Sequence, residues 1–445
     1  MNNNLFSYLN IQKEISSGKI SVVDIVQNTF KKIKSLDPKI NAFTNISEKK
    51  SLELAIKSEK RYQEKKSLSA LDGCPFAVKD MINTSDIPTE MNSRFFLNWH
   101  APVDAACVKA LKAAGAILIG KTVTTPFAVG HTNNTRNPHN NKKTPGGSSS
   151  GSGAAVGAGI VPFALGTQTR GSLLRPASFC GAVGFKPTLN SIHMGGIHPL
   201  SPTLDHVGVI GSTVNDTWLA LYYMSQVRGG FSGHKPFKYK NILNKKQTIK
   251  RIGIFKFDEW NKSGIATITE FEKIIEKIKS FGCKLIFSTN ESELLNLEKE
   301  LIYIIENDSI NILAYELDWP YNAYPRDILD DRIIELLERK KNINTSEYIK
   351  LIKRREILIK KVQNLRKNYD FFMTLSSSGP APEIKESTGS RHYQVPWTYL
   401  GFPSISLPLM SVDKMPVGVQ ILGFKNYDFD LAIKANFISD MIKNN

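Results

Sequence analysis

A serine-rich and glycine-rich stretch offers hydroxyls that are suited to nucleophilic chemistry. Residues 147–151 read GSSSG and match the G-x-S-x-G turn that presents the nucleophilic serine of α/β-hydrolases, here Ser149. That turn requires a buried strand immediately before it. Residues 133–145 are mostly Asn, Lys, Thr, Pro and His, which disfavours a buried strand. A Ser/His/Asp hydrolase built on Ser149 is therefore a minor alternative, and a flexible Gly/Ser linker is another.

A second short pattern suggests nucleotide chemistry. Residues 115–122 read GAILIGKT, which formally matches the phosphate-binding P-loop. A P-loop follows a strand, wraps the phosphate as a flexible loop, and leads into a helix. In this chain a helix is predicted before the pattern, and the middle residues are apolar, as in a buried strand. ATP binding is therefore not expected here.

A third pattern is much longer. Residues 145–172 read PGGSSSGSGAAVGAGIVPFALGTQTRGS, and residues 173–188 continue as LLRPASFCGAVGFKPT. Further matching segments are GCPFAVKD at 73–80, TRNP at 135–138, GFP at 401–403 and PVGVQ at 416–420. Together these segments resemble the amidase signature family. The resemblance covers roughly residues 8–235 and 369–440, whereas residues 236–368 match only loosely.

This resemblance implies a serine hydrolase that cleaves a C–N amide bond through an acyl-enzyme. Ser172 corresponds to the nucleophile, Ser148 to a bridging serine on a cis peptide bond, and Lys79 to the general base. Lysine acts as a base only when neutral, so its pKa of about 10.4 must fall by roughly 3 units. The apolar residues 75–78 before Lys79 are compatible with the burial that this shift requires.

The residues just before the nucleophile are implied to stabilise the developing oxyanion. The small residues around Ser172 suit an oxyanion hole formed by the backbone N–H groups of Thr169, Arg170 and Gly171. The family usually has glycine where this chain has Arg170. If this position requires a positive φ, an arginine is strained. If it does not, the side chain narrows the pocket or binds an anion itself.

Two further positions differ from the usual family residues. The family usually has Asp where this chain has Gln168, and an arginine two residues after the nucleophile, whereas here the arginine is Arg175. This form resembles a malonamidase-like branch that acts on small carboxylated amides, which implies that Gln168 and Arg175 bind substrate. A guanidinium near the nucleophile can hold a carboxylate through two hydrogen bonds. For Arg175, a structural ion pair is the alternative.

Helical periodicity and short apolar runs predict the elements that position these residues. Predicted helices cover residues 5–16, 22–35, 47–64 and 104–114, and Ser21 is the predicted N-cap of the second. A predicted buried strand covers residues 116–119. A Lys-, Glu- and Ile-rich segment contains a predicted strand, helix and strand at 252–255, 265–280 and 284–287. By resemblance, the fold is a single α/β/α domain over residues 1–445, with a central mixed sheet covered by helices. Within it, 236–368 is a helical, variable, insert-like segment that shapes the substrate pocket.

Composition limits the possible compartments and partners. The chain has 445 residues, 41% of them hydrophobic and 22% charged, as in globular proteins. No signal-peptide pattern or membrane-spanning run is recognised. The cysteines lack the spacing of metal ligands or of a disulfide framework, which favours a cytoplasmic location. The net charge of +17 comes from dispersed lysines and is interpreted as a solvated surface.

The expected partners are therefore a small-molecule amide and a second copy of the chain in a homodimer, with no membrane or nucleic acid. No metal or organic cofactor is implied. The leading hypothesis is a stand-alone amidase. One alternative is the glutaminase-like subunit of a tRNA-dependent amidotransferase, which would need partner subunits. Another is a non-catalytic binding protein on the same scaffold, with Arg170 blocking the oxyanion site.

Overall fold

The structure is a computed structural model that describes residues 5–129, 131–226, 230, 233–242 and 248–443. One mixed sheet of eleven strands organises the described residues. The strands, in chain order, are β1 (Phe43–Ile46), β2 (Pro75–Lys79), β3 (Ile117–Thr122), β4 (Phe163–Gln168), β5 (Val183–Lys186), β6 (His206–Gly211), β7 (Arg251–Ile254), β8 (Lys284–Phe287), β9 (Phe371–Leu375), β10 (Ser404–Val412) and β11 (Met415–Leu422).

The α-helices of the described residues cover this sheet. They are α1 (Gln12–Ser16), α2 (Val22–Ile40), α3 (Glu48–Gln63), α4 (Ala106–Ala113), α5 (Ser150–Gly157), α6 (Leu174–Phe179), α7 (Val214–Gln226), α8 (Ile265–Ser280), α9 (Ser292–Glu306), α10 (Asp308–Tyr321), α11 (Asp331–Lys340), α12 (Thr345–Asn364), α13 (Val395–Leu400) and α14 (Asp428–Lys443). Within the described residues, no helix combines the length and apolar character needed to cross a bilayer.

The strand order is β1-β3-β2-β4-β6-β5-β10-β11-β9-β7-β8. Strand β2 runs parallel to both β3 and β4, so the carboxyl ends of these three strands meet at one edge of the sheet. Strands β7 and β8 join the far end, where β7 is parallel to β9. The predicted single α/β/α domain is confirmed, because one hydrophobic core extends through both the sheet and the helices of 236–368.

Most predicted elements are present with shifted ends. The side chain of Ser21 caps α2 by accepting a hydrogen bond from the backbone N–H of Asp24. The helix then continues to Ile40, beyond the predicted end. The first predicted helix is divided, because Leu9–Ile11 form a 3₁₀ turn before α1. Helix α8 and strand β8 lie where they were predicted.

The structure also clarifies the two short patterns. Residues 117–122 of the P-loop-like pattern form the buried strand β3 directly after α4, so no loop is available to wrap a phosphate. Ser149 is fully buried, and its hydroxyl is hydrogen-bonded to the backbone of Thr167. All four cysteines of the chain are buried, and each is a free thiol.

Asp72 fastens α3 to the start of β2, the strand that ends in Lys79. Its buried carboxylate accepts hydrogen bonds from Ser58 Oγ at 2.8 Å, Arg61 Nε at 2.8 Å and the backbone N–H of Leu68 at 2.9 Å. A buried carboxylate requires such partners, since burial without them costs several kcal/mol.

We expect Asp72→Ala to lower the free energy of unfolding by about 2–4 kcal/mol, because buried donors lose their acceptor. Chemical or thermal unfolding followed by circular dichroism measures this change. Glu53→Ala is the control on the exposed side of the same helix and should stay within about 0.5 kcal/mol of the parent protein. Equal stability of the two variants would contradict the role of Asp72.

Candidate active site

Lys79 ends β2 inside the protein, with no exposed surface. Its Nζ lies 2.7 Å from Ser148 Oγ and 2.7 Å from Thr167 Oγ1. Within the described residues it forms no ion pair with a carboxylate, although Lys121 does. Burial lowers the pKa of Lys79 well below its ordinary value, and the negative charge of Asp205 opposes that shift. The geometry and environment therefore favour the neutral amine, which can accept a proton.

The next residue, Asp80, points to the other side of the strand, as alternation along β2 predicts. There its Oδ1 lies 3.6 Å from Nζ of Lys121, and both side chains are fully buried. Lys121 Nζ also donates to Thr89 Oγ1 at 2.8 Å and to the carbonyl oxygen of Ile82. The strand thus separates a lysine that is paired with a carboxylate from one that is not.

Ser148 lies in the loop before α5. The peptide bond between Gly147 and Ser148 is cis, in agreement with the resemblance. The carbonyl oxygen of Gly147 accepts a hydrogen bond from a terminal guanidinium nitrogen of Arg175. The carbonyl oxygen of Ser148 accepts one from the backbone N–H of Thr125 at 3.3 Å. These contacts orient the Ser148 hydroxyl toward Lys79.

Helix α5 consists of small residues because it packs directly against other backbone segments. All of its residues are buried. A Cβ added to Gly151 would lie 2.2 Å from the carbonyl oxygen of Ala42 and 2.4 Å from the backbone nitrogen of Val123. Such distances exclude any side chain, so glycine is required for α5 to hold the Ser148 loop against β2 and β4.

Ser172 lies in the turn between β4 and α6 and is half-buried. Its carbonyl oxygen accepts a hydrogen bond from the backbone N–H of Ser149 at 3.1 Å, which holds the two serine-bearing loops together. A Cβ added to the preceding Gly171 would lie 2.9 Å from the Cβ of Arg391. Glycine is therefore required at 171, because a larger residue would displace the Ser172 turn.

Gln168 supports this turn from behind. Its Oε1 accepts hydrogen bonds from the backbone N–H groups of Leu173 and Leu174, both at 3.0 Å, and its Nε2 donates to Thr398 Oγ1 at 2.9 Å. The side chain is fully buried and does not line the cavity beside Ser172. The structure therefore does not bring Gln168 to the position of a substrate-binding residue, because its amide groups are used to hold the turn.

The turn also exposes donors suited to an oxyanion. Within the described residues, the backbone N–H groups of Arg170 and Gly171 donate no hydrogen bond. The hydroxyl of Thr169 donates to Asp205 Oδ1 at 2.6 Å. Asp205 Oδ2 also accepts from the N–H groups of Leu200 and Ser201, at 2.8 and 2.9 Å. Asp205 thereby fixes the start of the turn.

Arg170 and Arg175 both line the cavity. The φ of Arg170 is not positive, so arginine in place of the usual glycine causes no backbone strain. One terminal nitrogen of Arg170 donates to the carbonyl oxygen of Ile305 at 2.7 Å. The guanidinium of Arg175 is held by the carbonyl oxygens of Gly147 and Gly389. Among the described residues, neither arginine forms an ion pair with a carboxylate.

These residues surround a cavity of about 200 Å³. Ser148 and Ser172 line it together with Thr169, Arg170 and Arg175. Further lining residues come from the 236–368 segment and from the residues before α13, namely Ile310, Leu313, Arg332, Glu335, Leu336, Thr388 and Arg391. Apolar and positively charged side chains therefore enclose the two serines together.

A family model described as amidase matches residues 24–431, which is most of the chain. The chain belongs to the amidase family. This family assignment identifies it as an amidohydrolase, and the sheet, the cis peptide bond and the Ser/Lys cluster are consistent with it.

Several relatives and solved structures resemble this amidase over nearly its full length. The A subunit of the glutamyl-tRNA(Gln) amidotransferase from Alkaliphilus metalliredigens is 30% identical over 463 residues, which cover 93% of this chain and 92% of the relative. The native peptide amidase of Stenotrophomonas maltophilia has a TM-score of 0.78 at 22% identity, covering 98% of this chain and 96% of that one. A 6-aminohexanoate cyclic dimer hydrolase has a TM-score of 0.84 at 21% identity, covering 99% and 98%. These two structures share the fold.

Four residues at this site were missed from the sequence. Thr167 lies within the long pattern, and its position at the end of β4, next to β2, could have indicated contact with Lys79. Asp205 precedes β6 and had no such signal. Arg332 and Arg391 reach the cavity only because α11 and the residues before α13 fold over it, which no local pattern reveals.

The environment of Lys79 predicts an unusual effect on stability. Replacing a buried, unpaired lysine with Met removes a desolvation cost, so we expect Lys79→Met to raise the free energy of unfolding at pH 7 by about 1–4 kcal/mol. Because the unfolded chain binds the Lys79 proton more readily, the stability of the parent protein rises with pH up to the ordinary lysine pKa. This rise should be shallower in the variant. Urea unfolding at several pH values measures both effects.

Lys121→Met is the matched control, since Lys121 is equally buried but faces Asp80. It should destabilise the protein, because a buried carboxylate loses its partner. A loss of stability in Lys79→Met as large as that in Lys121→Met would show that Lys79 is charged in the folded protein.

Proposed function

We propose that this amidase hydrolyses the C–N bond of a small-molecule carboxamide through an acyl-enzyme on Ser172. The proposal depends chiefly on one observation, the buried Lys79 amine that is hydrogen-bonded to Ser148 and has no carboxylate partner among the described residues. A serine hydroxyl needs a base to become a good nucleophile. Lys79, Ser148 and Ser172 provide a proton relay to such a base, because the two serines line one cavity.

In the proposed reaction, Lys79 accepts a proton from Ser148 while Ser148 accepts one from Ser172, whose oxygen attacks the amide carbon. The carbonyl oxygen becomes an oxyanion, which the backbone N–H groups of Arg170 and Gly171 stabilise, with that of Thr169 beside them. The proton returns along the same path to the leaving nitrogen, and the C–N bond breaks. Water then releases the carboxylate product by the reverse relay. No metal or cofactor enters these steps.

The cavity favours a small, negatively charged substrate. Its volume of about 200 Å³ is below the range of about 300–1,000 Å³ that is common for drug-sized ligands. Arg175 lies in the wall, three residues after Ser172, where a carboxylate of the substrate would reach its unused N–H donors. We propose that the 236–368 segment shapes this pocket as the insert-like part of a domain spanning 1–445, since Ile310, Leu313 and Leu336 line it.

The second candidate is a glutaminase subunit, favoured by the full-length similarity to the A subunits of glutamyl-tRNA(Gln) amidotransferases. In that case Ser172 would release ammonia from glutamine for use by partner chains. The first candidate uses only the cavity described above and needs no partner beyond a homodimer. Copurification with partner subunits and tRNA would support the second candidate instead.

We place the protein in the cytoplasm, where its four free, buried thiols would remain reduced.

Labelling with a fluorophosphonate tests the nucleophile without knowledge of the substrate. We expect one adduct on Ser172 in the parent protein and none in Ser172→Ala or Lys79→Ala, because an unactivated hydroxyl reacts slowly. Peptide mass spectrometry locates the adduct. Ser172→Ala should also lower kcat for amide hydrolysis by about 10⁴–10⁶-fold.

Ser150→Ala, at the first residue of α5, is the control, since the Ser150 hydroxyl contacts Asn133 and not the cavity. This variant should label like the parent protein. An adduct on Ser149 would support the α/β-hydrolase mechanism instead. No adduct in a folded protein that admits the probe would support the non-catalytic binding protein.

The pH dependence tests the role of Asp205. Its negative charge raises the pKa of Lys79, so Asp205→Asn should lower that pKa further. Since the neutral amine is the active form, the acidic limb of kcat/KM should move to lower pH. The asparagine can still bond Thr169 and the two backbone N–H groups, so the turn should persist. A pH–rate profile that keeps its acidic limb in place would contradict this role.

A further inference from the structure

The cavity beside Ser172 contains an excess of positive charge. Its described lining residues include four arginines, Arg170, Arg175, Arg332 and Arg391, and a single carboxylate, that of Glu335. Among the described residues, no guanidinium nitrogen of these arginines lies within 4.0 Å of a carboxylate oxygen. Glu306, a further acid near these arginines, has an oxygen 3.0 Å from His392 Nε2. Four guanidinium groups thus line one small cavity without a direct carboxylate contact in the described part of the chain. Arg175 is buried, whereas Arg332 is half-buried and Arg391 is exposed.

Arg170 and Arg175, which lie in and next to the nucleophile turn, are held in place, but some of their N–H donors have no acceptor. Their terminal nitrogens donate hydrogen bonds to backbone carbonyl oxygens. The Nε of Arg170 and the Nε of Arg175 are buried and have no hydrogen-bond partner, and the Arg175 side chain as a whole is only 4% exposed. A guanidinium has five N–H donors in a rigid fork. Buried donors without acceptors are unfavourable unless a ligand supplies the acceptors.

Arg391 and Arg332 line the same cavity from segments distant in the sequence. Arg391 packs against Gly171, as the distance to an added Cβ shows, and Arg332 belongs to the first turn of α11. Neither side chain forms a hydrogen bond or an ion pair with any described residue. Burial, followed by the charge of Arg391, lowers the pKa of both Arg170 and Arg175 to about 9. Such like-charge repulsion is relieved when an anion binds between the groups.

Resting on the proposed function, we infer that Arg332 and Arg391 form a second anion subsite in the cavity that Arg175 also lines. The substrate is then a small amide that carries two carboxylates, one for Arg175 and one for the pair Arg332 and Arg391. Its amide carbon would lie at Ser172. Charge-assisted pairs with guanidinium are strong and directional, so both carboxylates contribute to orientation as well as to affinity.

The same subsite disfavours amino-acid amides. The α-ammonium group of glutamine would lie in a cavity lined by four arginines, and Glu335, the one acidic residue among its described lining residues, is exposed. An unfavourable like-charge contact discriminates against a ligand as effectively as a favourable contact selects one. The inference therefore separates the small-amide hydrolase from the glutaminase subunit.

The test uses amides with the same reactive carboxamide but different charge. The probes are the monoamide of tricarballylic acid with two carboxylates, glutaramate with one, glutamine with one carboxylate and one ammonium, and neutral butyramide. Ammonia release gives kcat/KM for each. We expect the tricarballylic monoamide to exceed glutaramate by about 10–100-fold, and glutamine to fall below glutaramate. Equal values for the two anionic amides, or a preference for glutamine, would overturn the inference.

Variants then locate the subsite. Arg391→Gln and Arg332→Gln should each lower the ratio of kcat/KM for the tricarballylic monoamide to that for butyramide by about 10–100-fold, with partial recovery in Arg391→Lys. Arg326→Gln, an exposed arginine bonded to Asn322, is the control and should leave the ratio unchanged. An unchanged ratio in both cavity variants would refute the second subsite.

A binding experiment distinguishes failure of this inference from failure of the proposed function. Calorimetric titration of the Ser172→Ala variant with tricarballylate, glutarate and butyrate reports anion binding without catalysis. Affinity that rises with each added carboxylate, and falls in the Arg391→Gln background, supports the subsite even if no amide is cleaved. Adduct formation on Ser172 combined with equal affinity for all three acids would leave the hydrolase intact and refute the subsite.

Discussion

A buried lysine amine that, within the described chain, contacts no carboxylate is the constraint on which this site depends. The amine of Lys79 serves as a base only while it is uncharged, and any anion in direct contact would restore its proton. The fold keeps the nearby acids occupied elsewhere. Asp80 faces Lys121 on the other side of β2, and Asp205 directs its oxygens to Thr169 and two backbone N–H groups. The architecture around β2 and β4 thus protects a neutral lysine.

The small residues of the long pattern follow from the same constraint. A closed pocket around Lys79 needs the Ser148 loop, the Ser172 turn and two strands to meet without water between them. Gly151 allows α5 to contact the backbone of Ala42 and Val123, and Gly171 lets the Ser172 turn pass beside Arg391. Since any side chain at these glycines would separate the segments, the composition of the pattern is dictated by backbone packing.

What could be predicted from the sequence was largely local. The long pattern indicated the family, the cis peptide bond and the placement of Lys79 at the end of a buried strand. Separately, the periodicity of apolar residues predicted α8 and β8. Gln168 was expected to bind substrate, but its amide could be assigned to the turn only once the positions of Leu173 and Thr398 were known. Arg332 and Arg391 were missed because their approach to Ser172 depends on tertiary packing between distant segments.

The seam between β5 and β10 has a consequence for biosynthesis. Strands β1 to β6 form one half of the sheet, and its border strand β5 pairs through Phe185 with Ile405 of β10. The ribosome completes β6 at Gly211 long before it reaches β10. At about 5–20 residues per second the nascent half-sheet waits on the order of 10–40 s for its neighbour. During that time a buried, apolar border strand lies open to pairing with other chains, so the risk of misassembly is concentrated in the newly made protein.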